Sequence, residues 1–322
     1  MTVHVIATGG TIASYYDGAD WTSIAGAQLV AEAGPHPCEV VVEDIATGPS
    51  SNLTVDEMVR IAQRVRVLLD DGAQGVVVTH GTDTIELTAF VTALLLGVDA
   101  TRQPVVFTGS MRVHSHADSD GSRNVRDAIA VAADPAAIGR EVLVCLEGSL
   151  HAAEHVVKVN ANSVDAFTSA PFAALGAMVN GTAVFHSDPA LRPPATAVAA
   201  EVPLLTAYPG IDPSELSRLT HGVRAVVVEA FGDLNVPQQL WGPIHQAWND
   251  GVLVVLASRS FTATRDGDGL ALLGAVGAGG LTAQKARLAV MAALGTHTDR
   301  DAVIRFFHQF SLSYDALDRS TS

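Results

Sequence analysis

Two α/β domains, the larger first, are what this sequence predicts, and three observations carry that prediction. Apolar, β-branched runs such as Val3–Ile6 and Gly75–Thr79 alternate with stretches of helical periodicity, the rhythm of a wound sheet rather than of a bundle or sandwich. Hydrophobic residues make up 48% of the chain and aromatics only 5%, which suits parallel strands covered on both faces by helices. The 322 residues are long for one core, and the Pro-rich stretch Asp188–Ala195 interrupts the alternation as a linker would. The expected boundaries are 1–187 for the larger N-terminal α/β domain, 188–203 for the linker and 204–322 for a smaller α/β domain.

In order, Val3–Ile6 reads as the first strand. Thr54-Val55-Asp56-Glu57 has the Thr-x-x-Glu pattern of a capping box, and Met58, Ile61, Val65, Leu68 and Leu69 follow at helical spacing. Asp70-Asp71-Gly72 stops that helix and Gly75–Thr79 is the next strand. Thr84–Leu96 can be helical, Pro104–Phe107 extended, Ser122–Ala133 helical and Glu141–Leu146 extended. Beyond the linker, Val223–Val228 and Val252–Leu256 read as strands, with a helix after Pro237 between them. Two terminal helices are expected, about Thr282–Leu294 and Asp301–Phe310.

The formal net charge is −15, with 19 Lys plus Arg against 34 Asp plus Glu. Such a surface repels phosphate backbones, so nucleic acid is not an expected partner. Cys38 and Cys145 are the two cysteines, too few for a disulfide framework, and Cys145 within Val142–Leu146 reads as a buried strand residue. No apolar run reaches the ~18 residues a membrane span needs, and Met1–Val5 shows no signal-peptide pattern. A cytoplasmic protein without a membrane partner is the expectation.

The chemistry concentrates in two loops. Ala7-Thr8-Gly9-Gly10-Thr11-Ile12-Ala13 and Val78-Thr79-His80-Gly81-Thr82-Asp83-Thr84 each follow a predicted strand, so both open at the carboxyl edge of the sheet, where ligands bind in open α/β folds. The first lacks the Gly-x-Gly-x-x-Gly spacing and the Lys-Ser/Thr ending of phosphate loops. By itself it could be a tight turn as readily as a ligand cradle. The second places an imidazole, two hydroxyls and a carboxylate together. Capping of the following helix needs one of Thr82, Asp83 or Thr84, not the whole set.

These segments resemble the two signature segments of the bacterial-type L-asparaginase (asparaginase–glutaminase) family of amidohydrolases. Further stretches share the resemblance: Thr108-Gly109-Ser110-Met111-Arg112, Ser119-Asp120-Gly121-Ser122-Arg123-Asn124, and Val157-Lys158-Val159-Asn160 with its downstream Asp165-Ala166-Phe167. Lys285-Ala286-Arg287 matches part of a helix motif of the family's second domain. The resemblance implies a two-domain asparaginase-like fold and hydrolysis of L-asparagine to aspartate and ammonia without cofactor or metal. It also implies a homotetramer built from intimate dimers.

Carried over position by position, Thr11 would be the nucleophile, and Thr82, Asp83 and Lys158 the second catalytic group. An alcohol needs a base or proton path to attack at neutral pH, and a lysine serves only where its surroundings keep it partly neutral. Gly10 and Gly81 would border the substrate, with backbone N–H groups near Thr11 and Thr82 holding an oxyanion. Asp83 would also bind the α-ammonium and Ser50 the α-carboxylate, with Ser51 beside it. The Ser110 carbonyl would face the leaving nitrogen, and Asn235 would reach in from a neighbouring subunit.

Departures from the family pattern are equally specific. Its lid tyrosine would fall at Trp21–Ile24, so either Tyr16 supplies the assisting hydroxyl or that hydroxyl is lost. Leu234 replaces a glycine before Asn235. The neighbour-subunit glutamate of some members has no clear counterpart in Thr264–Asp268. Glutaminase activity, another carboxamide, or an inactive amino-acid-binding protein are the alternatives. Two histidine patterns are read as structural: His151-Ala152-Ala153-Glu154-His155 follows a strand instead of lying on the long helix a zinc motif needs, and His114-Ser115-His116 reads as a surface loop.

Overall fold

The computed structural model describes residues 1–16, 18–199, 201–260 and 269–320. The chain divides into two compact units, Met1–Pro194 and Ala195–Ser322, the division falling inside the segment expected to link them.

In the first unit β1 (Thr2–Ala7) is followed by a hairpin of β2 (Ser14–Tyr16) and β3 (Trp21–Ser23), then α1 (Gly26–Glu32) and β4 (Glu39–Asp44). The alternation continues through α2 (Val55–Asp70), β5 (Val76–Thr79), α3 (Ile85–Leu96), β6 (Val105–Thr108), α4 (Gly121–Ala132) and β7 (Leu143–Leu146). Strands β8 (Ser149–Ala152), β9 (Val157–Lys158), β10 (Phe167–Thr168), β11 (Gly176–Val179) and β12 (Thr182–Phe185) complete it. Eight of these form one mixed sheet in the order β12-β11-β8-β7-β6-β5-β1-β4. The strands from β4 to β7 are parallel, and β8, β11 and β12 extend the sheet antiparallel.

Alternation along the strands sorts two cores. Val3, Val5, Val77, Val106, Leu143 and Cys145 face Leu29 and Val30 of α1 and Val125 and Ile129 of α4. Ile6, Val76, Val78, Val105, Phe107 and Val144 face Ile61, Val65 and Leu68 of α2 and Ile85 and Ala89 of α3. Burial on both sides explains why these strands read as unbroken apolar runs. The predicted capping box of α2 is present, with the Thr54 hydroxyl accepting from Glu57 N–H and the Glu57 carboxylate from Thr54 N–H.

The second unit is a parallel four-stranded sheet in the order β13 (Leu204–Thr206), β14 (Ala225–Ala230), β15 (Leu253–Ser258) and β16 (Val276–Gly277). Its helices are α5 (Pro213–Leu219), α6 (Trp241–Asn249), α7 (Gly269–Leu273), α8 (Ala283–Thr296) and α9 (Arg300–Ser320). The last helix continues well past Phe310, the expected end, because 311–320 holds neither Gly nor Pro to stop it. No helix among the described residues is long and apolar enough to cross a membrane.

Candidate active site

Register places the loops. Ala7 of β1 pairs with Asp44 of β4 and Thr79 of β5, and Thr79 pairs with Thr108 of β6. The segments after all four strands therefore leave the sheet at one level. The segments after β1 and β5 touch backbone to backbone. Gly10 has φ of 84°, and a Cβ there would come within 2.4 Å of the Gly81 Cα. Only glycine combines that conformation with that approach. Gly10 N–H donates to the Gly48 carbonyl at 2.8 Å, and the Thr8 hydroxyl to the Thr79 carbonyl at 2.9 Å. Thr11 opens a single 3-10 turn directly after this contact.

The hydroxyls of the second loop do not cap. Thr84 occupies the N-cap of α3 without a side-chain cap bond; its hydroxyl donates to the Ser50 carbonyl at 2.9 Å. The Thr82 hydroxyl accepts from Lys158 Nζ at 2.9 Å, and the same ammonium donates to Asp83 Oδ1 at 3.0 Å. Lys158 could have been a solvated surface charge, but its side chain is only 19% exposed, against 64% for Asp83. The lysine is thus held over the Thr82 loop, with the carboxylate facing solvent.

Gly10, Thr11, Ser50, Gly81, Thr82 and Asp83 line one cavity of about 510 Å³, which Thr47–Pro49 and Trp21–Ser23 also border. Not every predicted residue joins them. Ser51 is exposed in the turn after Ser50, and Ser110 is fully buried outside the cavity lining. Tyr16 is not in the lining either: its hydroxyl donates to the Gly18 carbonyl at 3.0 Å and its ring lies 5.1 Å from that of Trp21. Tyr16 pairs with Trp21, which does border the cavity, so it is the Tyr16 ring and hydroxyl, turned to Trp21 and Gly18, that stay out of the lining. Asn235 lies in the second unit, exposed in the loop after β14 and preceded by Leu234 at φ of 55° with its side chain buried. Residues Thr264–Asp268 lie outside the described residues.

Several supports of the site were not read from sequence. Asp120, buried, gathers the loop after β6: its Oδ1 accepts from the Ser110 hydroxyl (2.7 Å) and Arg112 N–H (2.9 Å), and its Oδ2 from Met111 N–H (2.9 Å). Asn124, one turn on, donates to Asp120 Oδ2 at 3.1 Å and to the Gly109 carbonyl at 2.9 Å. The β2–β3 hairpin is tied to the loop after Val113, where His114 N–H donates to the Ser14 carbonyl and Tyr16 N–H to the Ser115 hydroxyl. His80 is fully buried and its Nδ1–H donates to the Gly81 carbonyl at 2.8 Å; burial pushes the imidazole down to about 4, the Gly81 contact opposing. A signal for Asp120 existed, in a carboxylate just before a predicted helix, but nothing in the pattern said which donors it would collect.

The histidine patterns have other uses. Glu154 forms a bidentate pair with Arg192 (2.6 and 2.9 Å) while the His155 ring stacks 3.7 Å from that of Phe172. Burial pushes the Glu154 carboxyl up, but His155 and Arg192 outweigh it and hold it below its usual range. His114 Nε2 meets Glu32 at 2.8 Å. Among the described residues no three metal-ligating side chains converge.

A strand-edge threonine thus lines the same cavity as Thr82 and Asp83, on which the Lys158 ammonium rests. Comparison with known proteins supplies the class. Residues 2–191 match the model of the asparaginase N-terminal domain, and 201–307 that of the glutaminase/asparaginase C-terminal domain. A probable L-asparaginase of Deinococcus radiodurans is 33% identical over 320 residues, covering 95% of this chain and 96% of that one. A glutaminase-asparaginase of Pseudomonas aeruginosa is 28% identical over 274 residues, 80% of this chain and 75% of that one. The crystal structure of a probable cytoplasmic L-asparaginase from Campylobacter jejuni superposes with a TM-score of 0.86 at 28% identity, covering 95% and 99% of the two chains. This chain belongs to the asparaginase/glutaminase family and has its two-domain α/β fold.

Proposed function

We propose that this protein is an L-asparaginase, hydrolysing L-asparagine to L-aspartate and ammonia with Thr11 as nucleophile. The observation that carries the reading is the Lys158 ammonium on the Thr82 hydroxyl and the Asp83 carboxylate, at the border of a cavity that also holds Thr11. The Thr11 oxygen attacks the side-chain carboxamide carbon, and the Thr82–Lys158 pair handles protons. Backbone N–H groups at Thr11 and Thr82 face the developing oxyanion; Thr82 lies just before the positive end of α3. Collapse of the tetrahedral species breaks the C–N bond, the nitrogen leaves as ammonia with a proton, and water then cleaves the acyl–Thr11 ester.

Asp83 binds the substrate's α-ammonium and Ser50 its α-carboxylate, with Gly10 and Gly81 as backbone walls and Ser51 adjoining. The Ser110 carbonyl receives the leaving nitrogen. For the assisting hydroxyl, Tyr16 would have to swing from Gly18 to the cavity. The test is ammonia release: purified protein given L-asparagine is expected to release ammonia and aspartate in equal amounts, and faster than from L-glutamine. Binding of aspartate with no release from either amide would overturn the reading in favour of an amino-acid-binding protein, and faster release from glutamine in favour of a glutaminase.

The same reading places the protein in the cytoplasm as a homotetramer of intimate dimers, with Asn235 contributed by a neighbouring subunit. Co-expressed Thr11→Ala and Asn235→Ala chains are then expected to regain roughly a quarter of wild-type activity by random pairing. Mixed oligomers showing only the summed residual activities would rule out sharing through these residues.

A further inference from the structure

Lys158 is carried on an unusual support. It ends β9, a two-residue strand whose sheet partner among the described residues is β10 alone, with Phe167 opposite Lys158. The main sheet, which fixes Thr11, Thr82 and the Ser50 turn by register and backbone contact, does not extend to this ribbon. The loop after it folds on itself: the Asn160 side chain accepts from Asn162 and Ser163 N–H, and Val159 N–H donates to the Ala166 carbonyl. Val156, Ala166 and Phe167 seat the ribbon in the core against α2 and α3, and one polar contact from outside the ribbon reaches the lysine backbone itself.

Glu86 supplies it. It lies in the first turn of α3, three residues after Asp83, and its Oε2 accepts the Lys158 backbone N–H at 2.5 Å. One helix start therefore holds the lysine twice, by its ammonium through Thr82 and Asp83 and by its main chain through Glu86. In sequence this carboxylate reads as a residue favourable to the helix dipole, a role that explains an acidic side chain in the first turn but not its reach to another element.

We propose that Glu86 is a positioning residue for the catalytic step: it fixes the distance between the Lys158 ammonium and the Thr82 hydroxyl by anchoring the lysine backbone to α3. The inference rests on the role of Lys158 given above. The bond to Lys158 N–H needs an acceptor, which glutamine retains and alanine lacks. A misplacement on the order of an ångström at a catalytic group costs about 10²-fold in rate.

The experiment is a double-variant cycle on the full-length protein with asparagine as substrate. Glu86→Ala is expected to lower kcat about 10²-fold with little change in KM, since Ser50 and Asp83 still hold substrate, and Glu86→Gln to recover most of the loss. Glu86→Ala combined with Lys158→Met is expected to be no slower than Lys158→Met alone, because Glu86 acts only through the lysine. Wild-type kcat in Glu86→Ala, or full additivity in the double variant, would overturn the proposal while leaving the assignment of Lys158 intact. Normal turnover by Lys158→Met would instead overturn the assignment itself, and the proposal with it. Should the alanine variant fail to fold, Glu86→Met, close in size and without an acceptor, takes its place in the same cycle.

Discussion

Thr11→Ala and Thr82→Ala are each expected to turn over asparagine orders of magnitude more slowly than wild type, Thr82→Ala by about 10²–10⁴-fold, the range of a general acid–base contribution, while melting at nearly the same temperature. Neither hydroxyl holds the loops together. The contact between them is made by Gly10, Gly48 and Gly81, and the Ser50 turn is fastened by Thr84. The two losses should differ in kind. Without Thr11 the covalent step has no oxygen to begin it, and rapid mixing should show no acyl-enzyme. Without Thr82 the Lys158 ammonium keeps Asp83 as a partner, so substrate still binds and KM moves less than kcat. Near-wild-type turnover in either variant, measured by ammonia release, would remove that residue from the mechanism.

The second large effect is on stability in acid. His80 is buried beside Phe107 with its imidazole pushed down to about 4, against an ordinary 6.5. Above pH 6.5 the ring is neutral in both folded and unfolded chains and pH costs nothing. As pH falls from 6.5 towards 4 the unfolded chain takes up a proton that the folded one refuses, so stability drops, by about 3 kcal/mol in all. Other groups add to acid lability, Glu154 among them, whose lowered carboxyl also favours the folded state only while ionised. Comparison with His80→Asn separates them, since asparagine keeps an N–H donor for the Gly81 carbonyl and does not titrate. Urea unfolding at pH 7 and at pH 4 should show wild type losing about 3 kcal/mol more than the variant. Equal losses would mean that His80 is not the group that refuses the proton.

The parallel strands β1, β5, β6 and β7 were legible because each is buried on both faces and reads as an apolar run, whereas β4, half-exposed along its length, and the β2–β3 hairpin and α1 before it gave no such run and were missed. The antiparallel extension was missed, although Asn180-Gly181 between β11 and β12 is a strong hairpin signal and both residues have positive φ. Glu147-Gly148, between β7 and β8, takes the same left-handed conformation without the asparagine that would have announced it. For the site, loop composition and the family resemblance pointed to Gly10, Thr11, Ser50, Gly81, Thr82 and Asp83, which line one cavity, and to Lys158 beside Thr82, but also to Ser51, Ser110 and Tyr16, which lie outside that lining. What they could not select were the supports. Asp120 and Glu86 act on backbone groups distant in sequence, and a carboxylate near a helix start has the same appearance whether it collects donors or merely faces water. Tyr16 shows a further limit: the pattern left open whether it supplies the assisting hydroxyl, and its hydroxyl donates to the Gly18 carbonyl outside the cavity lining.

The close approach of Gly10 to Gly81 has a consequence for variation around the cavity. A side chain at Gly10 would collide with the Gly81 backbone, and one at Gly81 with Ser50, so a library randomised across the whole cavity would lose most of its members there before chemistry is tested. The hairpin wall from Trp21 to Ser23 is different: these residues are exposed, make no sheet contact beyond their own partner strand, and can change size without moving the loops. Adaptation of the cavity to ligands of different length is therefore channelled to that wall, and the loops that carry Gly10 and Gly81 are left unaltered.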